Sequence, residues 1–84
     1  MKLKDIANAL IAEGNYHNVM VHGNSLCIEE EWEDNGCKND DDCCDYAYSI
    51  AKELIERFPE LEVIECMSHR HKYAIAELAL KTEL

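Results

Sequence analysis

The apolar residues of the chain repeat at helical spacing in two segments. In residues 2–13 they lie three or four positions apart, which places one stripe on a single face of a helix: Leu3, Ile6, Ala7, Leu10 and Ile11. Gly14 and Asn15 follow, and both residue types accept the left-handed backbone that commonly ends a helix. The sequence therefore predicts a first helix over residues 2–13.

A second stripe begins near residue 41 and ends before Pro59, which pushes the residue before it away from helical geometry. Its members are Cys44, Ala47, Tyr48, Ala51, Leu54, Ile55 and Phe58. Aspartates at positions 40–42 lie at its start, where a helix favours negative charge and capping oxygens. These features predict a second helix of about residues 41–57.

Between the two helices, apolar and polar residues alternate with the period of a β-strand. Val19 and Val21 share one face of a first strand, and residues 22–25 contain the Gly and Asn that a tight hairpin turn favours. In a second strand, burial of Leu26 and Ile28 turns the alternate side chains outward, namely Glu29, Glu31 and Glu33. The pattern of residues 61–68 predicts a third strand.

The segment HKYAIAELALKTEL, residues 71–84, fits two structures. Its alanines and leucines, with Glu77 four residues before Lys81, favour a helix. If the chain instead turns back at residues 68–71, a strand buries Ala74, Ala76, Leu78 and Leu80 and exposes Tyr73, Ile75 and Glu77. We predict the strand, because a second hairpin completes a four-stranded layer that helices can cover.

Together these elements predict an α+β fold in the order αββαββ. In this two-layer sandwich, both helices lie on one face of a four-stranded antiparallel sheet. We expect residues 1–84 to form a single compact domain without a linker, because two domains would each bury too little surface.

The charge of the chain restricts its partners. Eighteen Asp and Glu against eight Lys and Arg give a formal net charge of −10, which disfavours direct binding to DNA, RNA or anionic membranes. Basic protein surfaces or cations are favoured instead. Asp5, Asn8 and Glu13 interrupt the N-terminal apolar stretch, so no signal peptide is predicted, and no segment has the roughly 18 to 20 apolar residues that span a bilayer. A soluble cytoplasmic protein is expected.

Five cysteines allow several structures. Soft zinc ligands could come from Cys37, Cys43, Cys44, His69 and His71, although no CxxC pair is present. A disulfide from Cys37 to Cys43 or Cys44 is the alternative in an oxidising environment. The interpretation that we favour is reduced thiols and no metal, with Cys27, Cys44 and Cys66 as small apolar fillers and Cys37 and Cys43 as loop thiols.

A calcium loop and a catalytic site are both poorly matched. Five residues fall at EF-hand ligand or turn positions, namely Glu31, Glu33, Asn35, Gly36 and Asp42, but position twelve lacks the bidentate Glu and the segment before them predicts a strand. Residues 69–72 form a basic cluster with two histidines, for which a solvated turn is the simpler interpretation. No GxSxG, P-loop, HExxH or dinucleotide-binding motif occurs. We expect a non-enzymatic protein without a cofactor.

The remaining feature is the acidic segment EEEWEDNGCKNDDDCCD, residues 29–45, with nine of the eighteen carboxylates. Outward glutamates on the second strand and aspartates at the helix start concentrate charge, and the central tryptophan offers an apolar anchor for an interface. We predict that these residues bind a partner: Glu29, Glu31, Trp32, Glu33, Asp34, Asp40, Asp41, Asp42 and Asp45.

In length, acidity, αβ composition and lack of catalytic motifs, the chain resembles the small phage-encoded anti-defence inhibitors, notably anti-CRISPR proteins and antirestriction DNA mimics. The resemblance implies stoichiometric binding to a nucleic-acid-handling complex and occlusion of its DNA or RNA site. The resemblance does not identify individual contact residues in this chain. Two other hypotheses stay open: a protein interaction module that homodimerises through a sheet edge or through Tyr73 and Ile75, and a zinc-binding or thiol-redox domain.

Overall fold

The computed structural model describes residues 2–31, 40–69 and 73–81, and of residues 40–42 it describes the backbone alone. Its elements are α1 (Leu3–Glu13), β1 (Asn18–His22), β2 (Ser25–Glu31), α2 (Asp40–Arg57), β3 (Leu61–His69) and β4 (Tyr73–Leu80). This order confirms the predicted αββαββ fold. It also confirms a strand in the segment whose residue propensities favour a helix.

The sheet is antiparallel and has the strand order β1-β2-β4-β3. The last strand therefore lies in the middle of the sheet, where Leu78 is opposite Leu26 on one side and Val63 on the other. Burial of every second residue of β4 follows from this position, because neighbouring strands flank it and the helices cover one face. Ala74, Ala76 and Leu78 are completely buried.

Two glycines occupy the left-handed backbone positions that the pattern predicts. Gly14 has a φ of 70° and ends α1, where its N–H donates to the carbonyl oxygens of Leu10 and Ile11. Gly23 has a φ of 57° in the two-residue turn between β1 and β2. Residues with a Cβ rarely adopt this conformation, so both positions favour glycine.

Both helices pack on the same face of the sheet. The first lies against β1 and β2, and the second lies against β3 and β4. The buried core between the two layers comprises Leu3, Ile6, Ala7, Leu10, Leu26, Ile28, Cys43, Ala47, Ile50, Ala51, Leu54, Leu61, Ala74, Ala76 and Leu78. The core contains no buried polar or charged residue among those that the structure describes, so apolar burial is its main source of stability.

Three predicted positions on the helices were wrong. Ile11 is 57% exposed and Tyr48 is 52% exposed, whereas Cys43 is buried in α2 and is not a loop thiol. The buried stripe of α2 passes through Cys43, Ala47, Ile50 and Leu54, at intervals of four and three residues. One residue along a helix turns the side chain by about 100°, which carries Ile11 and Tyr48 away from the sheet.

A bulge in β3 changes which of its side chains face the helices. The register shifts between Val63 and Glu65, so that Ile64 is an extra residue with 52% exposure. Before the bulge, Leu61 and Val63 lie toward the core; after it, Cys66 does. The bulge therefore places Glu65 on the same face as Glu62, and Met67 follows it there.

The C-terminal ends of the helices are joined by an ion pair. Arg57 Nη1 donates to Glu13 Oε1 at 2.9 Å, and Arg57 Nη2 donates to Glu13 Oε2. The hydrogen bond from Arg57 holds the pKa of Glu13 below its ordinary value of 4.5. Because the folded-state pKa is lowered, the pair stabilises the fold above the unfolded pKa and loses this effect as pH falls through the folded pKa. Solvent exposure of both groups keeps its contribution small.

Candidate binding surface

The face of the sheet that points away from α1 and α2 is named here the open face. It carries the strand side chains that alternate with the buried ones, such as Cys27 and Glu29 beside Leu26 and Ile28. Within residues 2–31, 40–69 and 73–81, both helices pack on the opposite face and no element covers this one. The open face is therefore a regular surface that these residues offer to a partner.

Five glutamates project from the open face. Cross-strand register assigns them to it, because each alternates with or lies opposite a residue of known orientation: Glu29, Glu31, Glu62, Glu65 and Glu77. The four described strands contain no lysine or arginine. With histidine counted as neutral, the strand residues of this face therefore carry only negative formal charge, and β2, β3 and β4 supply it.

A line of four apolar residues crosses the open face, and we call it the apolar stripe. Each strand contributes one half-buried residue, in the spatial order Met20, Cys27, Ile75 and Met67. Met20 is opposite Cys27, and Ile75 is opposite Met67. Cys27 and Ile75 are diagonal neighbours, because Cys27 lies opposite Glu77, two residues beyond Ile75.

The carboxylates lie on both sides of the apolar stripe. Glu29 and Glu31 extend along β2 beyond Cys27 on one side. On the other side, Glu65 lies opposite Glu77, and Glu62 is next along the edge strand. Side chains two apart on a strand are separated by about 6.6 to 6.8 Å, so each flank follows the stripe at close range. The face thus combines an apolar centre with acidic borders.

Aromatic and acidic groups pack together at one end of the open face. His17 stacks on Tyr73 with ring centroids 5.8 Å apart, and its Nε2 lies 4.0 Å from Glu31 Oε1. The backbone N–H of His17 also donates to Glu30 Oε1. His17 therefore lies beside both Tyr73 and Glu31 at the end of β2.

The residues predicted to bind a partner are divided between several places. Glu29 and Glu31 lie on the open face, as predicted from the alternation. Asp45 is exposed on α2, in the other layer of the sandwich. Asp40, Asp41 and Asp42 form the start of α2, and their side chains lie outside the described structure, as do Trp32, Glu33 and Asp34 entirely. Of the predicted residues with described side chains, two therefore lie on the open face of the sheet and one lies on the helical layer.

The residues predicted from the sequence to bind a partner do not include the carboxylates of β3 and β4. Glu77 was predicted to point outward, but nothing in its local sequence places it beside Cys27 and Glu65. Only the strand order brings together residues that are so far apart along the chain. The signal available in the sequence was strand alternation, which turns Glu62 and Glu77 away from the core.

The thiol of Cys27 offers a test of this geometry. Burial raises its pKa, and the negative charge of Glu77 raises it further. The thiolate is the reactive form, so Glu77→Gln should lower the pKa of Cys27 and increase its alkylation rate by iodoacetamide at neutral pH. Peptide mass spectrometry can follow Cys27 separately from the other cysteines. Glu62→Gln, on the same face but not opposite Cys27, should leave the rate unchanged; equal rates in both variants would contradict the register.

The predicted zinc ligands lie only partly within the described ranges, which include Cys43, Cys44 and His69 but not Cys37 or His71. No three His, Cys, Asp or Glu side chains there are placed to hold a metal ion, and Cys27, Cys44 and Cys66 are free thiols. A cleft of about 290 Å³ opens beside the start of α1 and the end of β4. Its described lining includes Lys2, Lys4 and Leu80 but no carboxylate, histidine or cysteine, so the charged groups that line it are basic.

Comparisons with known proteins complete these observations. No helix within the described residues is long and apolar enough to cross a membrane. The chain matches no protein-family model, no curated protein and no solved structure.

Proposed function

We propose that the protein is a non-enzymatic inhibitor or binding protein whose acidic surface occupies the basic groove of a nucleic-acid-binding complex, of the CRISPR or restriction type. The observation that carries this proposal is the open face, with five carboxylates and no lysine or arginine in its strands. Glu29 and Glu31 belong to it, and the segment 29–45 that contains them holds nine of the chain's eighteen carboxylates.

The electrostatic mechanism is competition for cationic side chains. DNA presents about one negative charge per 1.7 Å of axis, and its binding grooves carry arginine and lysine that respond to charge from any source. Carboxylates on a sheet are held at regular spacing by the backbone ladder, so little ordering is needed when a partner binds. A protein that fills the groove in this way excludes nucleic acid without any chemical reaction.

The arrangement of Glu65 and Glu77 supports a binding role. They lie directly opposite each other on β3 and β4, and like charges in this position destabilise a sheet by a few tenths of a kcal/mol or more. A partner with cationic side chains would relieve this repulsion. Such local costs are common where a surface is selected for function instead of stability.

The second hypothesis, homodimerisation through Tyr73 and Ile75, has weaker support. Both residues lie on the open face and are half-buried, so they are accessible in part. Glu29, Glu31 and Glu77 surround them, however, and two copies meeting face to face would bring these carboxylates together. The charge favours a partner of opposite sign over a second copy.

A charge-reversal experiment tests the proposal. The unaltered protein should displace labelled duplex DNA from at least one purified complex in a panel of CRISPR effectors and restriction enzymes. Displacement should weaken as salt is raised, because ion pairs at an exposed surface are screened. In the variant Glu29→Lys/Glu77→Lys, the apparent affinity should fall by about tenfold or more, since each substitution turns an attraction into a repulsion.

The matched control reverses two exposed glutamates on the helical layer, Glu53 and Glu56, to lysine. Both variants carry the same net charge, so only the position of the change differs. Equal losses in the two variants would show that overall charge, and not the open face, determines binding. Failure of the unaltered protein to displace DNA from any complex at 0.15 M salt would overturn the proposed function.

A further inference from the structure

We infer that the open face binds an amphipathic α-helix of the partner, with its apolar side packed on the apolar stripe and with lysine or arginine on both flanks. This inference rests on the proposed function and specifies which element of a basic partner is recognised. It follows from the arrangement of the stripe, the acidic borders and the sheet beneath them.

The length of the apolar stripe fits a short helix. One apolar residue from each strand forms it, and apolar patches rimmed by polar groups commonly mark interaction sites. From Met20 on β1 to Met67 on β3, three strand spacings and one step along the strands give a length of about 16 Å. A helix rises 1.5 Å per residue, so about eleven residues, or three turns, cover this distance.

The backbone chemistry favours a helix over an extended segment. A strand lying flat on a sheet face cannot use the hydrogen-bonding groups of that sheet, because they point toward neighbouring strands. Its own N–H and C=O groups would lose water without gaining partners. A helix satisfies its backbone internally, and the opposite face of this same sheet is already covered by α1 and α2.

The charges select the kind of helix. Glu29 and Glu31 border the stripe on one side, and Glu62, Glu65 and Glu77 border it on the other. Cations on only one flank of the helix would reach only one of these two groups of carboxylates. A complementary helix therefore has apolar residues at i, i+3 or i+4, and i+7, with basic residues on both sides of that line.

Two synthetic peptides of about fourteen residues test this inference with the full-length protein. One places leucines on a single helical face between lysines and arginines. The other has identical composition, but its leucines are distributed around the helix. At 0.15 M salt, fluorescence anisotropy should show that the amphipathic peptide binds about tenfold or more tightly than the permuted one, because only its leucines reach the stripe together.

Variants of the protein locate the binding site. Ile75→Asn should remove the preference for the amphipathic peptide, whereas Ile11→Asn, on the exposed side of α1, should retain it. Met67→Asn on the edge strand replaces Ile75→Asn if the latter fails to melt cooperatively. An unchanged preference in Ile75→Asn, or in Met67→Asn where it replaces that variant, would overturn the inference.

The remaining outcomes separate this inference from the proposed function. Equal, salt-sensitive binding of both peptides would overturn the helix-binding stripe while leaving an acidic surface that binds basic partners. Absence of binding by either peptide, together with displacement of DNA in the panel experiment, would likewise overturn only the inference. A dimer in sedimentation that dissociates in Ile75→Asn would assign the stripe to a second copy of the chain and contradict it.

Discussion

Leu78→Ala is expected to lower the free energy of unfolding by about 3 to 5 kcal/mol. Leu78 is completely buried on the central strand, between Leu26 and Val63, so its truncation leaves a cavity that the neighbouring strands cannot close. A domain of 84 residues has a total stability of roughly 4 to 13 kcal/mol, so the loss is a large fraction of it. Thermal denaturation followed by circular dichroism should show a decrease in Tm of about 15 °C or more.

Ile75→Ala on the same strand is the matched control. Ile75 lies on the open face and is half-buried, so its truncation should cost only about 1 kcal/mol. The difference between the two variants measures how unequally the faces are covered. If Ile75→Ala destabilised the protein as much as Leu78→Ala, the open face would be buried in solution and could not be a free binding surface.

The strand β4 shows why alternation outweighed residue propensity. Alanine, leucine, glutamate and lysine favour a helix by a few tenths of a kcal/mol each, whereas Ala74, Ala76 and Leu78 are completely buried on one face of the sheet. A helix in this segment would also leave β2 and β3 without the strand that joins them. The sequence indicated this need for a strand, because the third predicted strand has no hairpin partner unless the last segment pairs with it.

The helices were predicted in position but only partly in orientation. Apolar residues next to the buried stripe, such as Ile11 and Tyr48, made the predicted apolar face of each helix wider than the face that a two-layer sandwich buries. Each helix touches the sheet along one side, and the opposite side stays in water. Tyr48 keeps its ring near the cation of Lys52, with Nζ 5.7 Å from the ring centroid.

The bulge in β3 limits what the sequence alone predicts about the surface. Uninterrupted alternation from Leu61 would place Glu65 and Met67 in the core with Val63. The extra residue Ile64 reverses this assignment, so that a carboxylate and one end of the apolar stripe reach the open face. A single inserted residue of this kind has no reliable local signature, because its position depends on pairing with β4.

Strand order is the second element that sequence patterns did not supply. The segment 29–45 was recognised because its charges are adjacent along the chain, whereas Glu62, Glu65 and Glu77 join Glu29 and Glu31 on one face only through the order β1-β2-β4-β3. Local reasoning thus found two of the five glutamates of the open face. The other three required knowing that β4 separates β2 from β3.

Ala76→Leu is expected to lower the free energy of unfolding by about 2 to 3 kcal/mol. Ala76 is completely buried on β4, and Ala47 and Ala51 of α2 are completely buried in the same core. Small side chains on both layers let α2 lie close to the sheet, and three additional carbon atoms cannot fit without displacing the helix or forcing strained rotamers. Urea denaturation should show a lower midpoint with an unchanged slope if the fold itself is kept.

Ala79→Leu distinguishes this overpacking from a general effect of leucine in the strand. Ala79 is half-buried on the open face of the same strand, where space is available, so the variant should lie within about 0.5 kcal/mol of the unaltered protein. Equal destabilisation at both positions would mean that the strand, and not the helix packing, resists the larger side chain. Destabilisation at Ala76 alone would show that the close packing of α2 limits the size of side chains on the buried face of the sheet. The apolar stripe and the carboxylates project from the opposite face of the same sheet.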